Sequence, residues 1–264
     1  METQITPIKQ LKTMLSSDSI KSRFKEILGQ KAPGFISSIL SVANGNTMLQ
    51  GAEAQSVLNA AVIAATLDLP INPNLGYAAI VPYNDRKKGT CVAQFQLQYK
   101  GLVELCLRSG QFASLIDEVV YEGQLIRKNK FTGEYIFDED AKTSDKVIGY
   151  MAYFRLVNGF EKTFYMTLKE VEKHAKTYSQ TYKNGYGVWK DNFDVMARKT
   201  VLKLLLSKYA PKSIQMQQAL TFDQAVIKND LTTADTIEEA EITYVDNEQP
   251  SAKDKLAEIA EKNM

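Results

Sequence analysis

Histidine, cysteine and tryptophan are nearly missing from this chain. Its 264 residues hold one histidine (His174), two cysteines (Cys91 and Cys106) and one tryptophan (Trp189). A metal centre of the His/Cys type needs three or four such ligands, so none is expected. A nucleophilic triad needs a base beside its Ser or Cys, and His174 has no such motif nearby. The two thiols fall in different apolar elements, which fits a buried pair in a reducing cytoplasm better than a disulfide. No apolar run approaches the roughly 20 residues that span a bilayer. Met1-Glu2-Thr3-Gln4 lacks the basic and apolar regions of a signal peptide, so a cytoplasmic protein without membrane contact is expected. A glycine-rich phosphate loop is missing too. Lys87-Lys88-Gly89-Thr90 has Gly and Lys in the wrong order for one, and the earlier glycine is lacking. Asp117-Glu118 and Asp138-Glu139-Asp140 could hold magnesium, but charge runs in loops are mostly solvated. A metal-dependent nuclease is therefore the weakest of the possible functions, and neither a metal nor a cofactor is expected.

Net charge is also nearly absent, at +1, but it is unevenly spread. Residues 222–264 carry 11 Asp/Glu against 4 Lys, and residues 1–221 carry 28 Lys/Arg against 20 Asp/Glu. A basic body with an acidic tail suggests a polyanionic partner, or else a solvated body with a solubilising tail.

What is present divides into three parts. Residues 1–68 read as helices that supply packing or oligomer contacts. Ile8, Leu11, Met14 and Leu15 share a face, Ser17-Asp18 interrupts, and Ile20, Phe24, Ile27 and Leu28 resume until Gly29. Further helices are expected from about Pro33 to Ala43 and from about Ala54 to Leu67. Residues 69–221 change character at Leu69-Pro70-Ile71-Asn72-Pro73, where two prolines forbid helix. A hairpin is expected from Tyr77–Tyr83 and Cys91–Gln98 around a turn carrying Arg86, Lys87 and Lys88. A helix from Tyr99 ends at Ser109-Gly110. Strands follow at Ser114–Tyr121, in a hairpin within Gln124–Phe137, and at Val147–Val157 and Phe160–Met166 around Asn158-Gly159. Thr167-Leu168-Lys169-Glu170 is a capping box opening a helix to about Tyr178. A Tyr/Gly/Lys-rich loop at 179–190 precedes a helix from Asp191 to Tyr209. Residues 222–264 read as a flexible acidic tail, with one short amphipathic helix possible at Ala252–Lys262. The fold class is α+β: an antiparallel sheet of hairpins with packed helices, a helical N-terminal region and a disordered acidic C-terminal tail.

Within this frame Gln94-Phe95-Gln96-Leu97-Gln98-Tyr99-Lys100-Gly101 stands out. It alternates amides with apolar side chains, as a half-buried strand does, and feeds straight into a helix. It is either an ordinary amphipathic strand or one that presents hydrogen-bonding groups to a ligand. Basic residues are interleaved with aromatics at Tyr99-Lys100, Lys130-Phe131, Phe154-Arg155, Tyr182-Lys183 and Trp189-Lys190. Single-strand-binding proteins combine cations for phosphates with rings for bases in this way.

Four segments resemble the RecT family of phage and prophage single-strand annealing recombinases. They are Leu69–Gly76, Gln94–Gly101, Gly149-Tyr150 through Lys162, and Trp189 with Phe193-Asp194-Val195-Met196-Ala197-Arg198-Lys199-Thr200-Val201. The resemblance covers roughly residues 7–220 in consistent order. It implies a protein, not an enzyme, that coats single-stranded DNA and anneals it to a complementary strand without ATP, holding the annealed duplex. It also implies a homo-oligomer, as a ring or helical filament, acting beside a partner exonuclease and a single-strand-binding protein. Matched by position, Lys100, Arg108, Arg155, Lys190, Arg198, Lys199 and Lys203 are expected at phosphates. Gln96, Gln98 and Tyr99 are expected along the DNA groove. Trp189 either stacks on DNA or anchors a core, and Arg155 has a strand-face ion pair as its alternative. A single-strand-binding module that protects without annealing is the competing function.

Overall fold

The computed structural model describes residues 6–85, 89–129, 131–185, 187–234 and 236–244. Arg86–Lys88, Lys130 and the possible helix at 252–262 lie outside the described residues. The chain forms two compact units, residues 1–104 with 214–264, and residues 105–213.

The first unit begins with helices α1 (Pro7–Ser16), α2 (Asp18–Leu28), α3 (Ala32–Asn44), α4 (Thr47–Gln50) and α5 (Ala54–Thr66). The break between α1 and α2 falls at Ser17, whose Oγ accepts the Ile20 N–H and so caps the second helix. Residues 54, 56–65 of α5 are all buried, because Ala and Ser on every side allow neighbours to approach closely. Strands β1 (Ala78–Asp85) and β2 (Thr90–Leu97) pair antiparallel, with Ala78 opposite Leu97 and Ile80 opposite Phe95. Those four side chains are buried. Helix α6 (Tyr99–Arg108) follows at once. A side chain at Gly101 would collide with the Tyr77 carbonyl, so this strand-to-helix junction requires glycine.

A lone hairpin exposes two edges, and both are managed here. The β1 edge carries Pro82, which has no N–H to leave unpaired. Along the β2 edge, the Cys91 carbonyl accepts the Glu53 N–H (2.9 Å) and the Ala93 N–H donates to Ser56 Oγ (2.8 Å). Further on, the Phe95 carbonyl accepts the Gln224 N–H (2.9 Å), and the Leu97 N–H donates to Asp223 Oδ1 (2.9 Å).

Asp223 and Gln224 belong to a stretch expected to be flexible tail. The structure corrects that expectation for residues 222–234 and 236–244. After α11 (Ile214–Phe222) the chain packs on α5 and β2, and Phe222, Val226, Ile227, Leu231 and Ile237 are buried. Asn59 on α5, 1% exposed, donates to the Asn229 carbonyl and accepts the Leu231 N–H. Other acids of the stretch serve local turns: Asp230 accepts from Thr232, and Thr236 with Glu239 forms a capping box. The apolar residues are few and follow no period, so composition alone reads as disorder.

The second unit is built on a three-stranded antiparallel sheet. Its order is β3 (Phe112–Tyr121), β6 (Val147–Leu156), β7 (Glu161–Thr167). The β6–β7 turn uses Asn158-Gly159 as expected: Gly159 has φ +87° and Asn158 Oδ1 accepts the Phe160 N–H. Tyr150, Ala152, Phe154 and Leu156 alternate onto the buried face, against which α7 (Leu168–Tyr178) and α10 (Phe193–Tyr209) pack. A separate hairpin of β4 (Leu125–Asn129) and β5 (Glu134–Phe137) lays Tyr135 and Phe137 over the Tyr165 ring. Tyr165 in turn fills the space above Gly149, which has no room for a side chain. The loop at 179–190 contains two helical turns, α8 (Gln180–Lys183) and α9 (Val188–Asp191).

Candidate nucleic-acid interface

The candidate residues divide between the two units. In the first, the amide row lies on one face of β2, as its period requires. Gln96 and Gln98 are half-buried, and the Gln98 Nε2 donates to Gln96 Oε1 at 3.0 Å. Gln94 is not presented on an exposed face: it is 4% exposed, beside buried Val92, and its Nε2 finds no partner among the described residues. Tyr99, grouped with Phe95 and Leu97 by alternation, instead starts α6 and is half-buried. Lys100 is exposed, its aliphatic stem lying along Gly76.

The second unit carries 18 Lys/Arg against 13 Asp/Glu. Arg108 is exposed at the end of α6. Arg155 is exposed on the sheet face opposite the helices, between Ser114 of β3 and Glu161 of β7. The structure therefore does not bring Arg155 together with the lysines of α10. Lys199 and Lys203 do share a stripe, on a flank of α10 away from its buried Ala197, Val201 and Leu205. Both are half-buried. The flank faces α7, where burial and the nearby Lys203 charge hold His174 below the usual histidine range. His174 stacks near Tyr178, with ring centroids 4.6 Å apart.

Arg198 points the other way. Its Nε donates to Asp117 Oδ2 at 2.7 Å and its Nη2 to the Asp117 carbonyl at 2.7 Å, with Glu118 Oε1 at 3.6 Å. Asp117 is 4% exposed. The guanidinium thus satisfies a buried carboxylate and a strand-edge carbonyl together, which ties α10 to β3. Sequence spacing placed Arg198 beside Lys199 and could not show this partner 81 residues away.

Trp189 is a packed side chain, 6% exposed, with Tyr182 and Phe193 set edge-on at 5.6 and 5.5 Å. The same cluster reaches Tyr150, whose hydroxyl donates to Asp194 Oδ1 at 2.6 Å. Burial, and then this bond, raises the Tyr150 pKa. Lys190, next to Trp189, is exposed. Together these contacts hold the start of α10 while leaving Lys190 in water.

Other chemistry finds little support in the geometry. Burial pushes the Cys106 thiol up to about 12, so it stays protonated and unreactive. Among the described residues, no three His, Cys, Asp or Glu side chains gather in a way that could hold a metal ion. Among the same residues, no helix is long and apolar enough to cross a membrane. One surface feature answers to the Lys130-Phe131 pair of the sequence. Phe131 is 90% exposed at the tip of the β4–β5 hairpin, and its N–H is held by Asn129 Oδ1 at 3.1 Å.

Comparison with known proteins adds a further observation. A protein of Bacillus subtilis strain 168, described as uncharacterized protein YqaK, is 46% identical over 255 residues, covering 94% of this chain and 84% of its own. Protein RecT of Escherichia coli K12 is 31% identical over 184 residues, covering 67% of this chain and 65% of its own. The RecT family model matches residues 33–242, a span that takes in all of the second unit and the folded return at 222–242. The chain belongs to the RecT family.

Proposed function

We propose that this protein binds single-stranded DNA and anneals it to a complementary strand in recombination, without hydrolysing a nucleotide. The match to the RecT family over residues 33–242 carries this reading. The excess of cations in residues 105–213 supports it, because affinity for a phosphate backbone is supplied mainly by Lys and Arg. Lys199 and Lys203 contact phosphates, with Lys190, Lys100, Arg108 and Arg155 as further contacts. Gln96, Gln98 and Tyr99 lie along the strand. Arg198 acts through Asp117 as a positioning residue, and Trp189 braces the start of α10 instead of stacking on a base.

The mechanism is electrostatic. Two DNA strands repel each other, and bound lysines screen that repulsion. Contacts to phosphates leave the pairing edges of the bases open, so base pairing tests the sequence and the protein does not. Duplex formation supplies the free energy. The protein works as a homo-oligomer, in a ring or filament that aligns successive binding surfaces, beside an exonuclease and a single-strand-binding protein.

The test is fluorescence-monitored annealing of two complementary oligonucleotides without nucleotide, against a non-complementary pair, at low and high salt. Pairing should run well above the spontaneous rate and fade as salt rises. Binding without acceleration would leave a protective single-strand-binding module in its place.

A further inference from the structure

Three lysines distant in sequence gather beside the C-terminal end of α10. Lys162 of β7 and Lys208 of α10 hold their ammonium groups over one ring, that of Tyr209, at 5.2 and 5.1 Å from its centroid. Lys128 of β4 lies 5.5 Å from the centroid of Tyr165. The hairpin closes the seam between them. The Tyr135 ring stands 5.9 Å from Tyr165, and a β-carbon at Gly133 would lie 2.6 Å from Lys162 Nζ.

None of the three has a carboxylate partner among the described residues, whereas Lys142 and Lys146 are both ion-paired. Of the acids nearby, Glu170 is committed to the Thr167 N–H (2.7 Å) and hydroxyl (2.8 Å) that it caps. Glu134 alternates with Tyr135 and so falls on the other face of the hairpin. A ring face attracts an ammonium group but leaves its charge intact. Lys162 and Lys208, sharing one ring, lie within about 10 Å of each other, close to a Debye length, where like charges still repel. A polyanion laid along the seam removes that repulsion.

We infer that the seam of Lys128, Lys162 and Lys208 is a second binding site for the phosphate backbone of a single-stranded nucleic acid, separate from the Lys199–Lys203 flank. The inference rests on the DNA-binding function proposed above. Helical geometry makes the two sites distinct. Lys208 is nine residues beyond Lys199, about half a turn out of phase at 3.6 residues per turn, so the two sets lie on opposite sides of α10. One strand cannot touch both without wrapping the helix. The exposed Phe131 ring at the hairpin tip favours a nucleic acid over an acidic peptide, because a base can stack there where a glutamate cannot.

The experiment measures binding of a fluorescent oligothymidylate to the full chain across a salt series. Wild type is compared with K162Q/K208Q, with K199Q/K203Q and with the fourfold variant. Each lost phosphate contact removes about 0.7 from the slope of log K against log salt. Each double variant should therefore lose about 1.4, and the fourfold variant about twice that, since separated sites add. A K162Q/K208Q slope equal to wild type, with a K199Q/K203Q slope that falls, would overturn the second site and leave the DNA-binding function standing. Absence of salt-dependent binding by wild type would overturn both. If K162Q/K208Q instead loses a polyglutamate peptide and keeps the oligonucleotide, the seam takes an acidic protein segment and the inference is wrong. Lysine acetylation of the unmutated chain guards against variants that fail to fold. Lys128, Lys162 and Lys208 should be protected by bound oligonucleotide, and unchanged labelling would sink the site.

Discussion

Replacing Arg198 separates a structural cation from a DNA contact. In R198A, Asp117, 4% exposed, loses the guanidinium at 2.7 Å. Stranding one partner of a buried pair costs about 3–5 kcal/mol. Arg198 itself is 35% exposed, so water partly replaces it and the low end, about 3 kcal/mol, applies. Asp117→Ala should cost less, about 1–2 kcal/mol, because the freed arginine can turn to solvent or toward Glu118. For a unit of about 100 residues, 1 kcal/mol moves Tm by about 4 °C. Thermal unfolding should thus show a loss of about 12 °C for R198A and about 4–8 °C for D117A. R198K should fall with R198A, since one ammonium cannot serve the carboxylate and the Asp117 carbonyl in the same fork. The salt slope of oligonucleotide binding, measured below the melting range, should stay at the wild-type value. An R198A protein that melts like wild type and loses about 0.7 from its salt slope would refute the reasoning. It would make Arg198 a phosphate contact whose bond to Asp117 is idle.

Three further outcomes follow from the packing. Asp223→Ala should cost about 1–3 kcal/mol by stripping the Leu97 N–H of its acceptor, and Leu231→Ala about 2–5 kcal/mol by opening a cavity. Thermal melts unchanged in both would mean that residues 222–244 are tail after all. Trp189→Ala should cost about 3 kcal/mol, and oligonucleotide should barely quench the Trp189 emission of the wild-type chain; strong quenching would put the ring on a base. Burial and Lys203 lower the His174 pKa, so the unfolded chain binds a proton that the folded one refuses. Stability from this group is present above the unfolded value of about 6.5 and is lost as pH falls below it. Unfolding measured from pH 7 to 5.5 should show that slope in wild type and a shallower one in H174Q.

Regular elements were legible wherever a period was long enough. The paired helices around Ser17, the Asn158-Gly159 hairpin and the capping box at Thr167 all follow from local pattern, and the structure holds them within a residue or two. What pattern cannot show is pairing across the chain. Gln94 obeys the alternation of β2 yet is buried, because period fixes which side chains share a face and not what lies over it. Residues 222–244 read as polar and acidic, yet their value to the fold lies in single atoms: an Asp223 oxygen for one strand N–H, a Leu231 N–H for Asn59. The seam lysines come from β4, β7 and α10 and share no motif. Only the Lys130-Phe131 pairing in the sequence hinted at that region.

The division of labour between arginine and lysine bears on how annealing works. Two guanidinium groups are given to the fold: Arg198 to Asp117 and its carbonyl, and Arg23 to the Ala234 carbonyl at 2.6 Å. Among the described residues, Arg108, Arg127 and Arg155 are the exposed exceptions. The cations proposed to meet DNA are otherwise lysines: Lys128, Lys162 and Lys208 near tyrosine rings, Lys199 and Lys203 half-buried on α10, and Lys100 and Lys190 exposed. Arginine's planar fork fixes a partner in one geometry, while lysine is a point charge on a flexible stem. A protein that must hold a strand while it searches for register gains from contacts indifferent to where along the backbone a phosphate sits. Substituting Arg for Lys at positions 162, 199, 203 and 208 should then tighten oligonucleotide binding and slow annealing. Faster annealing by that variant would show that grip, and not freedom to shift, limits the rate.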